Sequence, residues 1–429
     1  MSRLIIRHGR VIDPSQGIDR VTNLLIAGGR IAGIDVEPSP SEQIIDATDM
    51  IVAPGFIDLL TELREPGLEE DETIETGTSA ALAGGYTTVA CAPNTNPPLD
   101  TPASVEFVRQ KAMRAQQCHV VVLGCVSKDR AGRELAEIGS LVEAEAVGFS
   151  DGPSPIHNTE LLRRALEYCL MFDKPVLDHP EVLELTSGGI MHEGAVSMLL
   201  GLTGMPVDAE EVAVSRDLRL AESTGGRLHL LDISTAGSVE LIRRAKSRGL
   251  SVSASVRIGN LIYTDQRLRS FDSNYKVNPP LRSADHLEAC LAGLADGTID
   301  VIQSGHSPRA AEKKCRELDY ASVGMSSLET TLAEVITHLI LPGVLDWSTA
   351  LAKLTCNPAR VLSLNKGTLR VGADADVTII DPHARWTVDP KMFRSKSRNS
   401  PAGGNELRGK VAQVIVGGKP RLAGATSGR

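Results

Sequence analysis

The sequence reads as an α/β protein: a parallel (β/α)8 TIM barrel carrying a small β-sandwich that both chain ends build together. Three observations predict this. Through the middle of the chain, short apolar runs alternate with amphipathic helical stretches, and eight such pairs can be counted. Both ends instead show β-branched alternation broken by Gly-Gly pairs. A length of 429 residues, 42% of them hydrophobic, suffices for a large barrel and an accessory part.

The N-terminal strands are LIIRHGRVID (4–13) and NLLIAGGRIAGID (23–35), and their C-terminal counterparts are DADVTIID (374–381) and KVAQVIVGGKPRL (410–422). The Gly-Gly pairs at 28–29 and 417–418 are hairpin turns and open no helix, so they are not phosphate loops. The candidate barrel strands are FIDLLTEL (56–63), TTVACAP (87–93), HVVVLGC (119–125) and AVGFSD (146–151). PVLDHP (175–180), LHLLDIS (228–234), LSVSASV (250–256) and DVIQSGH (300–306) complete the set. ASVEFVRQKAMRAQ (103–116) and NTELLRRALEYCLMF (158–172) have helical periodicity, and DETIETGTSAALAGG (71–85) reads as the first barrel helix with an acidic N-terminal turn facing its dipole. The expected division is a composite sandwich domain over 1–53 and 364–429 and a barrel domain over 54–363. An active site in such a barrel lies at the C-terminal ends of the strands, which singles out Glu62, Asn94, Asp151, His179, Asp232, Arg257, Gly305 and His306.

Bulk properties narrow the function. A net charge of −9 argues against nucleic acid or an anionic membrane as the main partner, and 3% aromatic residues give little for base stacking. The N-terminus MSRLIIRHGR has too short an apolar stretch for a signal peptide, and no run reaches transmembrane length. The 7 cysteines are scattered without a CxxC pair, which points to a reduced, cytoplasmic setting and to thiols in the core or on the surface.

Specific blocks then become recognisable. APGFIDL and LREPG (53–67), APNTNPPLDT (92–101), GFSDG (148–152), ISTAGSVELIR (233–243), YKVNPPLR (275–282), NPARVL (357–362) and KSRNSPAGG (396–404) make the chain resemble dihydroorotases of the amidohydrolase superfamily over essentially its whole length. The resemblance implies the barrel-plus-sandwich fold and reversible hydrolysis of the ring amide of dihydroorotate in pyrimidine biosynthesis. It also implies zinc, which ionises water near neutral pH and polarises the amide carbonyl. In that family an HxH pair ends strand 1, a carboxylate or carbamylated lysine bridges at strand 4, single histidines end strands 5 and 6, and an Asp at strand 8 binds metal and shuttles the proton.

Set against that pattern, the chain departs sharply. Leu60 and Glu62 stand where the two histidines of strand 1 belong, Asp232 where the strand 6 histidine belongs, and Gly305 where the strand 8 Asp belongs. Asp151 and His179 fit the strand 4 carboxylate and the strand 5 histidine, while His229 lies three residues before Asp232. The loop after strand 7, Arg257-Ile258-Gly259-Asn260-Leu261, lacks the family's paired histidines. Loss of a single transition-state stabiliser costs on the order of a hundred- to a thousandfold, and here the water-activating device itself is altered. Arg64 and Asn94 match the family's carboxylate-binding pair and Asn278 a third contact, so these three are read as a vestigial substrate pocket; alternatively Arg64 is satisfied by neighbouring carboxylates and the Asn residues brace loops. His306 is read as structural, and His157 as a loop residue at the same barrel end with no clear partner.

The expectation that follows is a pseudoenzyme with no catalytic residue, no metal and no cofactor. It resembles the dihydroorotase-like non-catalytic chains that pair with bacterial aspartate carbamoyltransferase catalytic chains, implying a dodecamer with equal numbers of both chains and self-association as a dimer. The alternative is a metal-dependent cyclic amide hydrolase with a rearranged, carboxylate-rich site, in which Glu62, Asp151, His179 and Asp232 hold a harder ion such as Mn²⁺ or Mg²⁺. A third option is an authentic zinc dihydroorotase with ligands from unexpected residues.

Overall fold

The computed structural model describes residues 3–39 and 43–423. Eight parallel strands form the barrel in chain order: Phe56–Thr61, Tyr86–Cys91, His119–Gly124, Ala146–Phe149, Val176–Asp178, Leu228–Leu230, Val252–Arg257 and Val301–Gln303. Their residues are almost all buried, as expected of a parallel sheet whose outer face is covered by helices. Among the covering helices are Ile74–Ala83, Pro102–Ala115, Thr159–Leu170, Asp208–Thr224, Ala236–Ser247, Ala284–Ala295 and Trp347–Leu354. The core between strands and helices gathers Phe56, Tyr86, Val89, Phe149, Leu162, Val176, Ile242, Val256 and Ile302.

A side chain seals the seam between the last and first strands. Asp58 accepts hydrogen bonds from the Ser304 amide (2.9 Å) and hydroxyl (2.7 Å) and from Thr61 (2.6 Å). The Glu62 amide donates to the His306 carbonyl at 3.2 Å across the same seam.

Strands from both ends of the chain join in one eight-stranded sheet, in which Ile51–Pro54 runs antiparallel to Val377–Thr387 and parallel to Arg3–Asp13. Leu4, Ile6, Val11, Leu24, Ile26, Val52, Val377, Ile379 and Ile415 form its apolar core. The expected segments 23–35 and 410–422 each resolve into two strands around a Gly-Gly turn, with all four glycines at positive φ, the backbone region a tight hairpin needs.

Two local expectations change. The strands are shorter at their C-terminal ends than the apolar runs suggested, so Glu62, Asp151, His179 and Asp232 sit just past them, where the chain swings off into the loops. The acidic start of the first helix also differs. The helix begins at Ile74 behind a Thr73 cap, and only Glu75 lies in its first turn. Asp71 and Glu72 precede it and are buried. Asp71 accepts from the Ala310 amide (2.8 Å) and Lys313 (2.8 Å), and Glu72 from the Lys396 amide (3.0 Å) and the Ser395 hydroxyl. Glu72 thus anchors the start of the KSRNSPAGG segment and Asp71 the chain after strand 8, and neither faces a helix dipole.

Among the described residues no helix is long and apolar enough to cross a membrane.

Candidate active site

The C-terminal mouth of the barrel holds a buried cluster of alternating charge. Glu62, just beyond strand 1, receives the Arg64 guanidinium at 2.5 Å and the Asn94 amide at 2.7 Å, both on Oε2. Asp232, past strand 6, receives Arg257 from the end of strand 7 at 2.5 Å. His179, past strand 5, lies between two carboxylates, with Nε2 3.2 Å from Glu181 and Nδ1 3.7 Å from Asp232. Glu181 is held further by Asn278 (2.8 Å) and by the Thr186 hydroxyl. The side chains of Glu62, Arg64, His179, Asp232 and Arg257 are each 9% exposed or less, so this is a desolvated network.

Burial in such a place disfavours charge, and each group stays charged only because of its neighbours. Burial raises the Glu62 carboxyl, but Arg64 and Arg309 outweigh it and bring it to about 2. The same contest at Asp232 is won by Arg257 and His179, again at about 2. Burial would lower His179, yet the flanking carboxylates of Asp232, 3.7 Å away, and Glu181, hydrogen-bonded at 3.2 Å, raise it to about 9. Near neutral pH the mouth therefore carries an imidazolium and two guanidinium groups opposite three carboxylates.

Backbone strain concentrates in the same place. Arg64 (φ 63°) and Asp232 (φ 59°) both adopt the left-handed region, a conformation that persists only where the surroundings over-determine it and that clusters at functional sites. Gly305 shares it at φ 68° and has a second reason to be glycine. A Cβ there would lie 2.8 Å from Cδ and 3.0 Å from Cγ of Arg257, inside contact distance. The arginine side chain runs through the space that a larger residue at 305 would need.

The expected site residues thus fall into two groups. Arg64, Asn94, His179, Asp232, Arg257 and Asn278 converge on the mouth, with Arg64 and Asn94 sharing Glu62 and Asn278 bracing Glu181. Asp151 does not join them. Its Oδ1 accepts from the Val126 and Ser127 amides, both at 3.0 Å, and its Oδ2 from the Ser127 hydroxyl, which commits the carboxylate to bracing the loop after strand 3. His229 is buried in the barrel wall between Ser253 (2.8 Å) and Ser255 (3.0 Å), and burial lowers it to about 3, keeping it neutral. His306 accepts from the Ser327 amide at 3.3 Å and faces Glu72 at 3.4 Å; His157 is exposed. Glu181 escaped sequence reasoning, although its place two residues after His179 was a usable signal. Arg257 was singled out by position alone; its contact with Asp232 spans 25 residues, and no local pattern encodes it.

Zinc, the metal expected of this fold, does not fit the residues present. Leu60 and Gly305 offer no donor atom, and one oxygen of each carboxylate, Asp232 Oδ2 and Glu62 Oε2, is engaged by a guanidinium group. A fixed cation, Arg257, stands inside the cluster and would repel a dication. Among the described residues no three His, Cys, Asp or Glu side chains gather in a metal-binding group, so the expected Mn²⁺ or Mg²⁺ set of Glu62, Asp151, His179 and Asp232 is not assembled.

Three buried polar atoms of the mouth find no partner within the protein: His179 Nδ1, Asp232 Oδ1 and Arg257 Nε. Unsatisfied groups are rare in native interiors and call for an explanation. With His179 protonated, two of these are donors and one is an acceptor, side by side at the ends of strands 5, 6 and 7.

Comparison with known proteins gives this geometry a family context. Residues 49–238 match the dihydro-orotase-like family model, and residues 320–421 match the amidohydrolase family model. A protein of Rhodopirellula baltica, named only provisionally as a dihydroorotase, is 50% identical over 99% of this chain and 95% of its own. The dihydroorotase of Pelotomaculum thermopropionicum is 48% identical over 97% of this chain and 98% of its own. Among solved structures, the L-hydantoinase of Arthrobacter aurescens aligns with a TM-score of 0.89 at 25% identity, covering 99% of this chain and 96% of that one. These similarities overturn the expectation of a chain without enzymatic function. Relatives spanning nearly the whole chain at 43% to 48% identity bear the name dihydroorotase, and the L-hydantoinase structure is 25% identical to this chain. The absence of histidines at Leu60 and Glu62 does not by itself exclude an enzyme, since the mouth keeps a buried imidazole, His179, and a buried guanidinium, Arg257.

Proposed function

Since this chain belongs to the dihydroorotase family, we propose that it is a cyclic amide hydrolase of dihydroorotase type, working on a ring amide that bears a carboxylate, with a rearranged site in which Arg257 and His179 supply the positive charge. The observation that carries this reading is the trio of unpartnered buried atoms, His179 Nδ1, Asp232 Oδ1 and Arg257 Nε. A ring amide presents a carbonyl acceptor beside an N–H donor. The carbonyl fits the two nitrogen donors, and the N–H fits the Asp232 oxygen, so each of the three atoms would gain the bond it lacks.

The electrostatics are easiest to follow in the ring-closing direction, and hydrolysis runs the same steps in reverse. The carboxylates at Glu62, Glu181 and Asp232 are held at about 2 and are poor bases, whereas His179 at about 9 is a proton reservoir. Closing a ring from a ureido acid forms the C–N bond between the ureido nitrogen and the acyl carbon, breaks a C–O bond of the carboxylate and releases water, with net uptake of one proton. His179 can donate that proton to the departing oxygen, and Arg257 can stabilise the oxyanion of the tetrahedral intermediate, as a guanidinium does in a desolvated site. As the C–N bond forms the nitrogen becomes strongly acidic, and its proton passes by way of Asp232 Oδ1, held there only in transit, to the departing oxygen, where with the His179 proton it completes the water. Asp232 returns to its carboxylate form, and solvent reprotonates His179.

The test offers the purified chain both dihydroorotate and N-carbamoyl-L-aspartate, across pH, with and without added Zn²⁺ or Mn²⁺. Interconversion lost in His179→Gln and in Arg257→Met supports the reading. Absence of interconversion in both directions under every one of these conditions, including with a carbamoyltransferase partner chain present, would refute it. The aspartate carbamoyltransferase catalytic chain is the partner we propose, on the strength of the sequence resemblance.

A further inference from the structure

We infer that the Glu62 carboxylate is a tethered occupant of an anion seat at the barrel mouth, and that a free carboxylate enters only by displacing it. The inference rests on reading the mouth as a small-molecule site and specifies what must move for that site to fill.

The geometry is that of a carboxylate receptor already holding a carboxylate. One oxygen of Glu62, Oε2, receives both the Arg64 guanidinium (2.5 Å) and the Asn94 amide (2.7 Å), donors from the ends of two adjacent strands. Arg64 is locked in place from behind, donating to the Ser307 hydroxyl at 3.0 Å and to the Pro308 carbonyl at 3.3 Å. Its backbone is left-handed, φ 63°. Arg309 and Arg257 add positive potential. A rigid arginine, an amide donor and further cations facing one carboxylate oxygen make a seat that recognises the carboxylate as a group, whatever chain carries it.

Glu62 reaches this seat from a backbone position held in the barrel seam, where its amide donates to the His306 carbonyl at 3.2 Å. Because it is covalently tethered, its effective concentration at the seat is high, and a free ligand competes against it. Asn94 is the half-buried wall of the seat, so displacement proceeds from that side. The charge balance also requires it. Arg64 pairs with Glu62, Arg257 with Asp232 and Arg309 with Asp71, so a second carboxylate beside Glu62 would lack a counter-charge of its own.

The test uses acetate and N-carbamoyl-L-aspartate as probes, with calorimetric titration and ligand-induced thermal shift on the full chain. Glu62→Ala empties the seat and is expected to bind both probes at least about tenfold more tightly than the unmodified chain. Glu62→Gln keeps the volume, removes the charge and gains less; if the alanine variant fails to fold, this variant decides by the sign of its change. In Glu62→Ala/Arg64→Met the gain disappears. Equal affinity in the unmodified chain and both single variants overturns the inference, and so does retention of the gain without Arg64. Tighter binding by the variants without ring interconversion by the unmodified chain leaves this inference standing and removes the functional reading. Interconversion without any gain on removing Glu62 removes this inference alone.

Discussion

Replacing Gly305 by alanine probes whether Arg257 occupies the mouth as described. Two penalties are expected. The first is conformational: at φ 68° an L-residue with a Cβ costs about 1–2 kcal/mol relative to glycine. The second is steric. The new Cβ would sit 2.8 Å from Cδ, 3.0 Å from Cγ and 3.1 Å from Cβ of Arg257. The arginine cannot swing aside freely, because its guanidinium is fixed 2.5 Å from Asp232 in a buried pair. Overpacking of that kind costs roughly 1–3 kcal/mol. Gly305→Ala should therefore destabilise the chain by about 2–5 kcal/mol, the sum of those ranges. In an Arg257→Ala background the contacts with Cδ and Cγ vanish, leaving the milder one with Cβ at 3.1 Å beside the conformational part of about 1–2 kcal/mol. Chemical denaturation of the four members of this cycle measures the difference as a coupling energy of about 1–3 kcal/mol. An equal penalty in both backgrounds would mean that Arg257 does not fill the space above Gly305, and the cation assigned to the mouth would be misplaced.

The pH dependence of stability follows from His179. Its pKa is raised in the folded state, to about 9, so its contribution is complete below the unfolded value near 6.5 and fades as pH rises through 9; His179→Gln should flatten the alkaline limb of a melting-temperature profile, and an unchanged limb would contradict the Asp232 and Glu181 contacts. For metal, zinc added to the purified chain should neither raise the melting temperature nor bind stoichiometrically at the mouth by elemental analysis, since Leu60 and Gly305 offer no donor and Arg257 repels a dication. Asp151→Asn should lower stability by about 1–3 kcal/mol through its bonds to Val126 and Ser127, while probe binding at the Glu62 seat changes less than about threefold. Co-expression with an aspartate carbamoyltransferase catalytic chain should yield a joint complex by size-exclusion chromatography coupled to light scattering; two separate species would remove that partner.

Much of this protein was legible in its residues alone. Short apolar runs followed by amphipathic helices specify a parallel barrel because both patterns are local, and burial of both sheet faces leaves a near-continuous apolar record. The Gly-Gly turns could likewise be read directly, and the resemblance to dihydroorotases marked Leu60 and Glu62 as standing in place of histidines. Which charged groups face one another could not. Arg257 meets Asp232 across 25 residues, Asn94 meets Glu62 across 32, and Asn278 meets Glu181 across 97. Such pairings depend on where each strand stops and which way its last side chain turns. Asp151 shows the consequence: its position after strand 4 suggested a ligand, yet two loop amides claimed it first. Residue identity decided what the mouth could no longer hold in the family's manner. Only the closed barrel, by bringing distant strand ends within hydrogen-bonding distance in a desolvated space, decided that a guanidinium and an imidazolium supply the charge there.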